Sequence, residues 1–241
     1  MNQPKPARLN PAEVAAIFFD FGDTLAMLNP SREELFARAA RTVGLELDAT
    51  TIKRAYETVD FHHKYSSLHV KDRGSFYQKY NEHLAAALGI SSYMPELGTA
   101  LAAQFTNSKR WQLFPEVPTV LARLAQFGLR LALVANWDAN LESLTEELGI
   151  KKSFEKIFPS ACAGVEKPDP EIFLAAASAL SLRPATHKII YVGNEYVADV
   201  VGPRAAGLIP VLIDRTNSLP HADCLRFSSL TACLTALLEQ K

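Results

Sequence analysis

Cysteine is scarce: Cys162, Cys224 and Cys233 are the only three in a chain of 241 residues. They are too few and too scattered for a disulfide framework or a zinc site, so a reducing cytoplasm is the expected setting. No stretch approaches the roughly 20 consecutive apolar residues that cross a bilayer. Met1 to Asn10 is polar and Pro-containing, without the apolar core of a signal peptide. An excess of one charge is missing too. Lys and Arg number 25 against 26 Asp and Glu, a formal net charge of −1, which offers nothing to nucleic acid or an anionic membrane. Internal repeats and low-complexity segments are absent. What is present is 48% hydrophobic and 21% charged, an ordinary globular composition. The length suits one or two domains with a sizeable core. No pattern specifies an oligomeric state.

Ala16-Ile17-Phe18-Phe19-Asp20-Phe21-Gly22-Asp23-Thr24-Leu25 organises the rest. Apolar residues without alternation, running into an aspartate, read as a central parallel strand covered on both faces. Its carboxyl end, where open α/β sheets bind ligands, delivers Asp20. Asp20 could equally begin an Asx-turn. Ser31-Arg32-Glu33-Glu34 is a capping-box pattern opening a helix that Gly44 stops. Further helical periodicities start at Asp48, at Ser75 and at Pro95, with no strand between, so about 80 residues form a helical insert. Beyond Phe114 strands and helices alternate. Strands are expected at 129–135, 156–158, 189–192 and 209–213, and helices at 118–127, 140–148, 170–180, 199–206 and 230–238. This spacing predicts an α/β fold, a doubly wound parallel sheet, with an inserted all-helical cap domain. The core takes residues 12–28 and 113–241, and the cap 29–112. Asp214 to Ser218 reads as a surface connection.

Four points fall at the ends of expected strands: Asp20 with Thr24, Ala135 with Asn136, Lys167 in Gly164-Val165-Glu166-Lys167-Pro168-Asp169, and Asn194 with Asp199. A carboxylate nucleophile, a lysine to hold charge and oxygen ligands for Mg²⁺ are the set needed to attack phosphorus. In this order, with the helical cap and Trp111-Gln112-Leu113-Phe114-Pro115-Glu116-Val117 where the core resumes, the chain resembles the haloacid dehalogenase superfamily over nearly its whole length. The resemblance implies that Asp20 forms a covalent aspartyl intermediate and that Lys167 neutralises the nucleophile and the phosphate oxygens. It implies Mg²⁺ between Asp20, the Gly22 carbonyl, Asn194 and Asp199, and a small phosphorylated substrate near Thr24, Ala135 and Asn136.

Three positions depart from the superfamily's pattern. Gly22 stands where phosphatases carry a general acid, Ala135 where they carry Ser or Thr, and Asn194 where they carry Asp. Asp23, in an Asp-x-x-Asp-Thr arrangement, is either a displaced acid or a loop-capping carboxylate. General acid catalysis is worth roughly 10²–10⁴ in rate, so its loss favours substrates whose leaving group is a weak base. Two alternatives to a phosphatase follow. One is a metal-independent dehalogenase-like hydrolase, since halide needs no proton; against it, the Ser beside Asn136 is missing and Phe173 replaces a Tyr. The other is a catalytically weak or inactive member that binds a phosphorylated ligand or partner. Cap residues His62, His63, Lys64, Tyr65, His69 and Arg73 carry no metal-ligand spacing, although the stretch from His63 to Arg73 could touch substrate.

Overall fold

The computed structural model describes residues 13–63, 73–105 and 108–238. Two compact units divide the chain: one takes in everything up to Met27 and from Leu113 onward, the other Leu28–Gln112. The cap residues Lys64, Tyr65 and His69 lie outside the described residues, as do the side chains of His62, His63 and Arg73.

The first unit is built on a six-stranded, wholly parallel sheet. Its strands are β1 (Val14–Phe19), β4 (Arg130–Ala135), β5 (Lys156–Pro159), β6 (Lys188–Gly193), β7 (Ile209–Ile213) and β8 (Leu225–Phe227), in the order β5-β4-β1-β6-β7-β8. Both faces of β1 are used, which is why its sequence does not alternate. Ala16 and Phe18 pack with Ala132, Val134, Tyr191 and helix α8 (Pro170–Ala179). Ile17 and Phe19 line the other face with Val120 and Leu124 of α5 (Val117–Gln126) and Leu230 and Leu234 of α10 (Leu230–Leu238). Chain order reverses on either side of β1, so the crevice beyond its carboxyl end is the expected ligand position. The Asp169 side chain caps α8 by accepting from Glu171 N at 2.9 Å, with Pro170 at the first helical position.

The second unit packs α1 (Arg32–Thr42), α2 (Ala49–His63), α3 (Arg73–Ala87) and α4 (Met94–Phe105) around Phe36, Ile52, Tyr56, Leu84, Leu97 and Leu101. Ser31 caps α1 by accepting from Glu34 N at 3.3 Å. Arg32 bridges to Asp60 at 2.8 Å and lies over the Tyr56 ring, while Tyr80 donates to the same carboxylate.

Several expectations need correction. Two three-residue strands, β2 (Ala26–Leu28) and β3 (Trp111–Leu113), pair as a separate sheet; they are too short to show a period. β8 was missed for the same reason, since Leu-Arg-Phe carries too little pattern. The helix expected at 199–206 begins at Val197 as a π-helix (Val197–Val201) and continues as α9 (Gly202–Ala205). At 214–218 the expected surface connection holds, with one refinement at its first residue. Asp214 is buried, and its carboxylate accepts from Ser218 N, Leu219 N and Arg226 at 2.8–2.9 Å. Residues 216–218 are exposed, as a surface connection should be, and only its first residue is buried, where it anchors the loop.

Candidate active site

Asp20 follows β1 directly, and its amide donates to Val192 O of β6 at 2.9 Å. The chain then folds into a tight turn: Leu25 N and Ala26 N both reach Phe21 O, at 2.9 and 3.0 Å, and Asp23 N reaches Ala26 O at 2.7 Å. Asp23 sits in the left-handed region at φ 55°, where Asp is one of the few side chains at ease. The turn buries Thr24 and leaves Asp23 exposed.

Lys167 comes from the loop between α7 (Ser160–Ala163) and α8, next to a cis Lys167–Pro168 peptide. Two contacts fix that loop. The Asn136 side chain clamps the Lys167 peptide, donating from Nδ2 to its carbonyl at 2.9 Å and accepting from its amide at 2.8 Å. Gly202 lies against Pro168, so closely that an added Cβ would meet the Pro168 backbone at 2.8 Å. Lys167 is 4% exposed, and each of its three ammonium protons is used. They go to Asp20 Oδ1 at 2.7 Å, Asp199 Oδ1 at 2.6 Å and Tyr191 Oη at 2.9 Å. Tyr191 passes its own proton to Val134 O at 2.8 Å.

Asp199 is almost fully buried in the π-helix. Its second oxygen accepts from Asn194 N and Glu195 N at 2.9 and 2.8 Å, closing the loop after β6. Gly193 makes this approach possible, since a Cβ there would stand 2.3 Å from Asp199 Cγ. One ammonium thus serves two carboxylates. Burial pushes the Asp20 carboxyl up from 3.8 to about 6, with Lys167 pulling it down and the Asp199 charge adding to the rise. Burial works against the Lys167 charge, but Asp199 and Asp20 together hold its pKa well above the usual lysine range.

Thr24 Oγ1 lies 3.1 Å from Asp20 Oδ2 and 3.0 Å from the Asn194 side chain. The Asn194 amide best satisfies its surroundings with its nitrogen turned toward three oxygens: Gly22 O at 2.9 Å, Thr24 Oγ1 at 3.0 Å and Asp20 Oδ2 at 3.2 Å. Those oxygens test the implied Mg²⁺. A carboxylate, a main-chain carbonyl and a hydroxyl are hard oxygen donors of the type Mg²⁺ takes along with water, and Asn194 would add its amide oxygen once its side chain turned over. Among the described residues no group of three or more His, Cys, Asp and Glu is arranged to hold a metal. The donor set therefore fits Mg²⁺ in chemistry but carries little charge.

Asp20, Lys167, Thr24, Asn194 and Asp199 thus meet in one cluster, with the Gly22 carbonyl on its edge. Ala135, buried at the end of β4, contributes a methyl group and no hydroxyl. The Asn136 side chain faces Lys167. Sequence reasoning missed Tyr191, although a phenol inside the buried Ile189-Ile190-Tyr191-Val192 strand was a signal. It also missed Ser160, whose buried hydroxyl accepts from Trp137 N at 3.1 Å, and Arg215, which no local pattern marks. Phe21 and Trp137 meet edge to face at 4.9 Å beside these loops.

Residues 14–207 match the haloacid dehalogenase-like hydrolases, and the chain belongs to that family. It is a hydrolase. It is 28% identical over 211 residues to human haloacid dehalogenase-like hydrolase domain-containing protein 3, covering 83% of this chain and 82% of that one. To the glyceraldehyde 3-phosphate phosphatase of Methanopyrus kandleri it is 30% identical over 209 residues, 84% of each. Among solved structures, the HAD-hydrolase YfnB of Bacillus subtilis, bound to magnesium, superposes with a TM-score of 0.75 at 19% identity, covering 93% of this chain and 99% of that one. No helix among the described residues is long and apolar enough to cross a membrane.

Proposed function

We propose that the protein is a Mg²⁺-dependent phosphatase acting on a small phosphorylated metabolite through an aspartyl-phosphate at Asp20. The buried ion cluster carries the reading: Lys167 is shared between Asp20 and Asp199 at 2.7 and 2.6 Å, so the nucleophile stands in a net negative site. A phosphate dianion brought within about 4 Å of Asp20 meets a repulsion of several kcal/mol at an effective dielectric near 20. A divalent cation is the direct remedy. Asp20, the Gly22 carbonyl and Asn194 would hold it, with Asp199 behind them, and when bound it would supply positive charge shared by the nucleophile and the phosphoryl oxygens. A relative named as a phosphatase of a phosphorylated three-carbon sugar supports the substrate class.

This chain's residues would act as follows. Lys167 keeps Asp20 ionised and oriented, and Thr24 steadies its second oxygen. An Asp20 oxygen bonds to phosphorus as the bond to the ester oxygen breaks. The ester oxygen leaves with that electron pair and takes a proton from Asp23 or from solvent. Water then attacks the same phosphorus, the Asp20–phosphorus bond breaks, and inorganic phosphate and the free carboxylate result. Gly22 offers no acid to the leaving group, so aryl phosphates should outrun alkyl phosphates if the proton comes from solvent and not from Asp23.

The test is p-nitrophenyl phosphate hydrolysis with Mg²⁺, with EDTA, and in Asp20→Asn. Turnover that needs the metal and vanishes in the variant is the expected result. Chelator-insensitive release of chloride from 2-chloropropionate would replace this reading with a dehalogenase. Silence in both assays would leave a binding protein.

A further inference from the structure

We propose that Arg215 is a positioning residue for the nucleophile turn, holding its two outward carbonyls so that Asp20 and Gly22 keep their places. The inference rests on Asp20 being the nucleophile. It follows from the donors that reach the carbonyls from Phe21 to Ala26, since main-chain oxygens in a folded turn take hydrogen bonds from the protein or from water. Phe21 O and Ala26 O are satisfied within the turn, Leu25 O accepts from Phe114 N at 3.0 Å, and the Asn194 amide reaches Gly22 O. Asp23 O and Thr24 O meet a donor from far along the chain. Arg215 takes both, from Nε to Asp23 O at 3.4 Å and from Nη2 to Thr24 O at 3.0 Å.

The guanidinium is itself immobilised. Nη1 donates to Glu116 Oε1 at 2.7 Å, and the group lies 3.5 Å over the Phe114 ring. Its main chain follows Asp214, whose amide donates to Phe227 O and whose carboxylate is held by the loop after β7. The end of one strand thus braces the turn after another. Only a planar fork meets a carboxylate, two carbonyls and a ring face at once; a lysine supplies one compact charge and reaches one of them. The brace thus ties the turn from outside at its left-handed residue and the next, through the Asp23 and Thr24 carbonyls.

Arg215→Ala, Arg215→Lys and Glu116→Gln test this with two readouts. In steady-state hydrolysis of p-nitrophenyl phosphate, kcat should fall roughly ten- to hundredfold in the Arg215 variants while KM stays within about twofold. Amide hydrogen exchange over residues 20–26 should speed up by roughly tenfold, with the cap helices unchanged. Glu116→Gln keeps the guanidinium, loosens its anchor and should give a smaller change in the same segment. A rise in KM alone would make Arg215 a substrate ligand and overturn the proposal, as would unchanged exchange over 20–26. If Arg215→Ala does not fold, Arg215→Lys and Glu116→Gln carry the test. If the wild type hydrolyses no phosphate ester, the phosphatase reading fails, and the exchange measurement still decides the role of Arg215.

Discussion

Asp20→Asn should gain stability on the wild type as the pH rises toward neutral, although it removes one half of an ion pair. In the folded chain the Asp20 carboxyl titrates at about 6 instead of 3.8, because burial and the Asp199 charge outweigh the help of Lys167. A raised pKa means that the folded state binds a proton more tightly than the unfolded one. That contribution is complete below about pH 4 and is lost as pH climbs through 6. At about 1.4 kcal/mol per tenfold change, the gap between 3.8 and 6 amounts to about 3 kcal/mol of stability that the wild type forfeits by pH 7.5. Asparagine stays neutral throughout and forfeits nothing. The measurement is thermal unfolding of both proteins in EDTA from pH 4.5 to 8, read as a difference so that any pH-independent effect of the amide cancels. About 2 kcal/mol of that total falls between pH 4.5 and 7.5, so over this range the variant should gain roughly 4–8 °C on the wild type, at about 2–4 °C per kcal/mol for a chain of this size. Most of the gain should come below pH 6, with little further change above pH 6.5. Saturating Mg²⁺ should narrow the gap by stabilising the wild type alone. A difference that stays flat with pH, or a wild type that gains on the variant as pH rises, would refute the argument that burial dominates at Asp20.

Asn194→Asp restores a charged oxygen beside Gly22 O and Asp20 Oδ2 and should tighten Mg²⁺ binding by roughly tenfold or more; calorimetric titration reads it, and an unchanged affinity would remove Asn194 from the ligand set. Gly193→Ala places a methyl group where Asp199 Cγ stands 2.3 Å away. It should cost roughly 1–3 kcal/mol in urea denaturation and most of the phosphatase activity; a neutral outcome would mean that the Asp199 packing is looser than the structure has it. Asp23→Asn should lower turnover of an alkyl phosphate roughly tenfold or more and spare an aryl phosphate. Equal rates for both esters in the variant and the wild type would exclude Asp23 as the proton donor.

Periodicity and punctuation settle what depends on neighbours in the chain. Ser31 before Glu34, Asp169 before Pro170, and apolar runs closing in Asp20 or Gly193 disclose the helices, the central strands and their ends. Local hydrogen bonding and two-faced burial leave their mark on adjacent residues. Asp20, Lys167 and Asp199 could be singled out for the same reason, each standing at the end of an element or in a short motif. Their meeting within 2.7 Å of one ammonium was decided by the folded sheet.

Other features belong to tertiary structure alone, because their partners lie far along the chain. Asn136 folds back on the Lys167 peptide, Gly202 admits Pro168, and Tyr191 takes the third proton of a lysine 24 positions away. Arg215 reaches the carbonyls of Asp23 and Thr24, 192 and 191 positions earlier. A single sequence records which side chains are available; only the packed core, by denying them water, decides which of them must find one another.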